Sequence, residues 1–174
     1  MTNDDPSLSN YRPCVGIMLI NRSGQVWMGL RADALDDIEG PGDWWQMPQG
    51  GIDADEDPET AALRELEEET GVISAEVIAR TRGWLRYDLP PDIAPKAWGG
   101  RYRGQKQIWF ALRFTGCDSQ INIDPPAGSD HKKEFLRWQW TDPDQVVNRV
   151  VAFKREVYRA VMAELQHYAK PRAS

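Results

Sequence analysis

Residues 50–72 read GGIDADEDPETAALRELEEETGV, and this stretch decides the fold. It holds nine acidic residues and one basic residue, Arg64. The rest of the 174-residue chain carries 18 acids against 20 bases, so the net charge of −6 is concentrated in one segment. Asp57 suits a helix N-cap, Pro58 the first helical position and Gly71 the left-handed exit, so a helix is expected between them. Leu63, Leu66 and Thr70 fall on its least polar face. Glu65, Glu68 and Glu69 stand at i, i+3 and i+4, which places three carboxylates on one face within one turn. Like charges this close repel, and a hard divalent cation such as Mg²⁺, which takes oxygen ligands, is their natural partner. A run of glutamates alone is ordinarily a solvated face. An acidic protein-interaction helix would likewise explain Glu67 to Glu69. Neither accounts for Gly50, Glu56, Arg64 and Gly71 together.

Gly50, Glu56, Arg64, Glu65, Leu66, Glu68, Glu69, Gly71 and Val72 occupy nine fixed positions over 23 residues. In this pattern the stretch resembles the signature box of the Nudix hydrolases. The resemblance implies an α+β fold, an αβα sandwich with a mixed β-sheet that carries the box as a loop–helix–loop. It implies that Glu65, Glu68 and Glu69 are catalytic and hold Mg²⁺, Mn²⁺ or another divalent cation. It gives Arg64 the task of orienting a glutamate, and Gly50, Glu56 and Gly71 that of supporting the box. The chemistry agrees: a diphosphate repels an anionic nucleophile, and a bound cation offsets that charge and activates water.

Working outward, residues 14–20 (CVGIMLI) and 25–31 (QVWMGLR) read as strands around a turn at Gly24. Residues 34–43 (ALDDIEGPGD) read as a loop. Further strands are expected in residues 75–90 (AEVIARTRGWLRYDLP), 105–114 (QKQIWFALRF) and 135–141 (FLRWQWT). Phe153, Val157, Val161 and Leu165 recur at four-residue spacing and predict an amphipathic C-terminal helix. The reading is one domain over residues 11–168 with flexible ends at 1–10 and 169–174. No apolar run approaches the ~20 residues that span a bilayer. The polar start resembles no secretory signal. Cys14 and Cys117 are expected to be reduced, buried thiols in a cytoplasmic protein. No obligate protein partner is evident, and nothing places a catalytic partner beside His131 or His167.

Between Arg80 and Lys106 stand seven Lys or Arg against two Asp. Trp84, Tyr87, Trp98 and Tyr102 are interleaved with them. This combination suits a nucleotide-binding rim, because bases stack on rings while cations meet phosphates. Most of Tyr11 to Met162 also resembles one Nudix branch, in stretches such as YRPCVGIMLINRSGQVW (11–27), GQKQIWFALRF (104–114) and VVAFKREVYRAVM (150–162). That branch comprises the bacterial RNA 5′-pyrophosphohydrolases and the dinucleoside polyphosphate hydrolases. The resemblance implies that Glu134 is a further metal ligand. It places Arg12, Val151 and Phe153 around a base, and Arg31, Gln105 and Lys154 on phosphates. The long Trp-bearing loop resembles the dinucleotide enzymes of plants and alphaproteobacteria. Both an RNA 5′ end and a dinucleoside polyphosphate therefore stand as substrates. A nucleotide-binding Nudix module with weak catalysis is the competing class.

Overall fold

Strand β1 (Tyr11–Ile20) is buried over most of its length, and its alternating side chains divide the interior into two cores. Met18 and Ile20 point into one core, and Val15, Ile17 and Leu19 into the other. A strand with apolar residues on both faces needs cover on both sides. The computed structural model describes residues 5–32 and 44–173; the loop expected at 34–43 lies outside the described residues.

Among the described residues the sheet has eight strands. Along its main path β3 (Trp45–Gln46), β2 (Val26–Arg31), β1, β7 (Gly104–Phe114) and β5 (Ala75–Arg80) are neighbours. Three more strands join it: β4 (Gln49–Gly51) on β1, β6 (Leu85–Asp88) on β7, and β8 (Phe135–Thr141) on β2. β1 and β7 run parallel from Tyr11 opposite Gly104 to Ile20 opposite Arg113, and the other pairs are antiparallel. Helix α1 (Pro58–Thr70) covers one face through Ala61, Ala62 and Leu66. Helices α2 (Val146–Arg149) and α3 (Arg155–Leu165) cover the other, where Val157, Tyr158, Val161, Met162 and Leu165 pack on Trp109 and Met28. This is the expected α+β sandwich on a mixed sheet.

The ends of α1 follow the sequence. The Asp57 carboxylate accepts from Glu59 N at 3.0 Å and Thr60 N at 3.2 Å. Gly71 closes the helix at φ 70°, a left-handed conformation that favours glycine. The apolar face differs from expectation. Leu63 is 41% exposed, and the buried positions are Ala61, Ala62, Leu66 and Thr70. Thr70 joins them because its hydroxyl donates back to Leu66 O at 2.6 Å, which satisfies the polar atom inside the core. Phe153 precedes α3, in a 3₁₀ turn over Ala152–Lys154. Cys14 is buried and Cys117 exposed, both as free thiols. Cys117 lies just past β7, where the chain turns away from the core. Asp5 caps a 3₁₀ turn over Pro6–Leu8, and Arg172 N donates to Arg22 O at 2.9 Å beside the β1–β2 turn. Among the described residues, no helix is long and apolar enough to cross a membrane.

Candidate active site

Arg64 ties the box together. Its Nε and Nη2 each lie 2.8 Å from a different oxygen of Glu56, a bidentate pair. Nη1 donates to Glu65 at 2.9 Å and reaches Glu68 at 3.3 Å, and Nη2 donates to Gly51 O at 2.9 Å. Asp53 N donates to Glu56 Oε1 at 3.1 Å, which fixes the loop ahead of the helix. One guanidinium thus joins the loop, strand β4 and two helical glutamates. Its hydrogen bonds, with the Asp53 N–H, hold the Glu56 carboxyl down to about 2.

Gly50 makes room for Glu65. A Cβ at position 50 would lie 2.0 Å from Glu65 Cδ and 2.2 Å from Oε2, so the carboxylate occupies the space a side chain would take. Next to it, Gln49 N donates to Glu69 Oε2 at 3.3 Å. Burial pushes the Glu65 carboxyl up to about 7; Arg64 opposes the shift, and Glu68 and Glu134 add to it. Burial also raises Glu69 well above the usual range, with the charges of Glu134 and Glu65 reinforcing it. The Glu69 side chain keeps some surface, but its carboxyl is enclosed enough for desolvation to dominate.

Four glutamates therefore crowd one place, three from α1 and Glu134 from the residue before β8. An all-oxygen donor set with mutually unfavourable charge fits a hard divalent cation. Among the described residues no three such side chains close on a single point in this conformation, so the donors line a mouth rather than a finished cage. Two cavities meet there. The smaller, about 210 Å³, is lined by Glu65, Glu68, Glu69, Glu134, His131 and Lys132. His131 is exposed, as its loop sequence suggests, yet it stands beside the glutamates.

The larger cleft, about 480 Å³, is lined by Glu65, Glu69 and Glu134. Arg12, Arg31, Gln105, Phe153 and Lys154 line it as well. These residues come from β1, β2, β7 and the turn before α3, and the sheet brings them to one end. Lys154 is 3% exposed, with Nζ 3.0 Å from Gln46 Oε1. A buried cation at a cleft wall is suited to an anionic ligand. Gln105 is held by a chain of amides: Gln107 Nε2 donates to Gln105 Oε1 at 2.8 Å and to Gln49 Oε1 at 2.9 Å. Trp109 Nε1 donates to Gln107 Oε1 at 2.9 Å, which orients the whole chain. Phe153 faces Tyr87 with ring centroids 5.8 Å apart. Val151 starts the same turn but packs against the α3-side core instead of lining the cleft.

Sequence reasoning did not single out Gln49, Leu89, Ile93 or Ala97, which also line the cleft. Gln49 was findable, since it directly precedes Gly50. The others come from the Pro- and Gly-rich segment after β6, whose path no local pattern gives. A further cavity of about 450 Å³, around Arg22, Arg113 and Arg172, lies at the opposite end of β1 and shares no residue with the glutamate site.

Known proteins resemble this chain over nearly its whole length. The RNA pyrophosphohydrolase of Brucella ovis is 49% identical over 166 residues, covering 95% of this chain and 93% of that protein. The RNA pyrophosphohydrolase of Azorhizobium caulinodans is 48% identical over 159 residues, covering 91% and 94%. Among solved structures, the Escherichia coli dihydroneopterin triphosphate pyrophosphohydrolase superposes with a TM-score of 0.60 at 16% identity, covering 88% of this chain and 98% of that one. A Caenorhabditis elegans Ap4A hydrolase gives 0.58 at 15%, covering 90% and 98%. At these identities the structural matches establish the fold. The NUDIX domain model matches residues 10–161, and this chain belongs to the NUDIX family.

Proposed function

We propose that this protein is a Mg²⁺-dependent pyrophosphohydrolase that removes pyrophosphate from the 5′ end of triphosphorylated RNA. One observation carries the reading. A single cleft joins a crowded carboxylate set, Glu65, Glu69 and Glu134, to phosphate-binding candidates Arg31, Gln105 and Lys154. The near full-length likeness to proteins named RNA pyrophosphohydrolase favours RNA over a dinucleoside polyphosphate.

Glu65, Glu68, Glu69 and Glu134 would hold the cation. When bound, the cation offsets the charge of the diphosphate and polarises a phosphoryl oxygen. Arg64 fixes Glu65 through their 2.9 Å contact and keeps Glu68 in reach. A carboxylate of this set that is not engaged with the cation accepts the proton of the attacking water. Lys154 and Arg31 meet phosphate oxygens, and Gln105 adds amide donors whose direction the Gln107 chain sets. Phe153 offers an apolar face to the base. The same cleft is lined by the carboxylates that would hold the cation and by Arg31 and Lys154, so a diphosphate bound there would meet both.

The test is a comparison of 5′-triphosphorylated RNA and diadenosine tetraphosphate at matched concentrations with Mg²⁺. The proposal expects a higher kcat/KM on the RNA, with 5′-monophosphorylated RNA as the product. A clear preference for diadenosine tetraphosphate would assign the protein to dinucleotide hydrolysis.

A further inference from the structure

Trp98 sits in a conformation that tryptophan rarely adopts. Its backbone lies at φ 49°, ψ 35°, in the left-handed region, and Gly99 and Gly100 follow at φ 67° and 72°. Two consecutive glycines in that region are unremarkable, but a tryptophan there costs free energy. Such strain persists where surrounding contacts hold it, and it gathers at sites of function. The indole is not spent on the interior. Trp98 belongs to neither core cluster and is only half-buried.

Trp98 lines the candidate catalytic cleft together with Leu89, Ile93 and Ala97. Two contacts hold it there. The Arg12 guanidinium carbon lies 5.3 Å from the ring centroid, and Tyr102 meets the ring edge-on at 6.2 Å. Arg12 is itself fixed against Gly51, where a Cβ would come within 2.4 Å of Nη2. The arrangement therefore runs from Gly51, next to the box glycine, through Arg12 to Trp98. Phe153 and Tyr87 form another aromatic surface of the same cleft. The cleft thus has two aromatic surfaces, Trp98 and the Tyr87–Phe153 pair, together with the carboxylates.

We infer that Trp98 is a base-stacking residue: its indole is held at the cleft by Arg12 and Tyr102 to stack on a nucleobase near the 5′ end of the substrate. This rests on the proposed RNA reading of the cleft. A rigid aromatic surface accepts any base, so the contact adds affinity more than sequence choice. A stacked base contributes ~1–3 kcal/mol, and each 1.4 kcal/mol is tenfold, so its loss is expected to weaken binding roughly five- to a hundredfold.

The test is equilibrium binding in Mg²⁺ of two probes with methylene-bridged triphosphates. One is the dinucleotide ApG carrying the bridged triphosphate at its 5′ end, and the other is a ribose 5′-triphosphate without a base. Trp98→Asn removes the ring and suits the left-handed backbone, because Asn adopts that region more readily. It should keep its melting temperature within a few degrees and weaken the dinucleotide roughly five- to a hundredfold. The baseless probe should change less than twofold. Trp98→Phe should bind the dinucleotide to within a few-fold of wild type. Equal loss for both probes would overturn the inference by making Trp98 a support for Arg12 or the phosphate site. Unchanged binding of both, or a collapse in melting temperature, would overturn it as well. Wild-type turnover of triphosphorylated RNA is read in parallel. Its absence would defeat the hydrolase reading, while the binding data still judge Trp98.

Discussion

Gly50→Ala probes the seat of Glu65 without substituting any carboxylate. The added Cβ would lie 2.0 Å from Glu65 Cδ. Carbon atoms in contact normally stand about 3.5–4.0 Å apart, so the carboxyl must retreat by about 1.5 Å or more. Metal-ligand distances hold to about ±0.2 Å, so a retreat of that size would remove Glu65 from the proposed ligand set. A misplacement of about 1 Å at a catalytic group costs about 10²-fold in rate, which sets the expected fall in kcat. Stability should change little, because the clashing atoms end a flexible side chain and Gly50 is not among the residues with positive φ. A cost under about 1 kcal/mol corresponds to a shift of at most about 4 °C in a chain of this size. Steady-state kinetics on triphosphorylated RNA and thermal unfolding measure both quantities. In the double variant Gly50→Ala/Glu65→Gln the losses should not add, because both changes disable one carboxylate. Near wild-type kcat in Gly50→Ala would refute the reasoning, and so would additive losses in the double variant.

Glu68→Gln and Glu69→Gln should each lower kcat more than tenfold at saturating Mg²⁺ with the fold intact, since Gln keeps size and loses the ligand charge; full turnover in both would remove them from the site. Phe153→Ala should cost about 1–2 kcal/mol, less than the ~3–5 kcal/mol of a fully buried Phe, because the ring is half-buried beside Tyr87. Its KM for base-bearing substrates should rise, and a loss of stability in the fully buried range would make Phe153 a core residue instead. Asp88 is held below its ordinary range first by the Tyr11 hydroxyl and further by Arg103. A carboxyl depressed in the folded state stabilises above its unfolded pKa of about 3.9, and that contribution is lost as pH falls through the folded value. Asp88→Asn should therefore lower the melting temperature at pH 7, and the gap from wild type should narrow on acidification. A gap that is constant between pH 7 and pH 3 would contradict this.

The residues of the box were legible because their rules are local. Asp57, Pro58 and Gly71 mark helix ends through their own backbone preferences, and helical spacing alone gathers Glu65, Glu68 and Glu69. Strand β8 was also readable to the residue, since FLRWQWT is bounded by polar segments. Long-range geometry was not readable from local patterns. That Gly50 yields its side-chain space to Glu65 depends on how β4 docks on α1, and that Trp98 reaches Arg12 depends on the fold of the 89–100 segment. Leu63 misled because it lies at the edge of the face that Ala61, Ala62, Leu66 and Thr70 bury, and helical periodicity does not say how far the sheet's cover extends. Family resemblance named Arg12, Arg31, Gln105, Phe153 and Lys154, which line the cleft, and Val151, which does not; the parallel pairing of β1 with β7 sets Arg12 opposite Gln105.

The central claim is that this carboxylate mouth, loaded with a divalent cation, hydrolyses a 5′-triphosphate. The most direct measurement follows the release of pyrophosphate or phosphate from 5′-triphosphorylated RNA by the purified protein, with Mg²⁺ and then with the cation chelated by EDTA. The account predicts conversion to 5′-monophosphorylated RNA with Mg²⁺, its loss in EDTA and its return when Mg²⁺ is restored. Turnover that persists undiminished in EDTA, or no conversion of the RNA at any Mg²⁺ concentration, would contradict it.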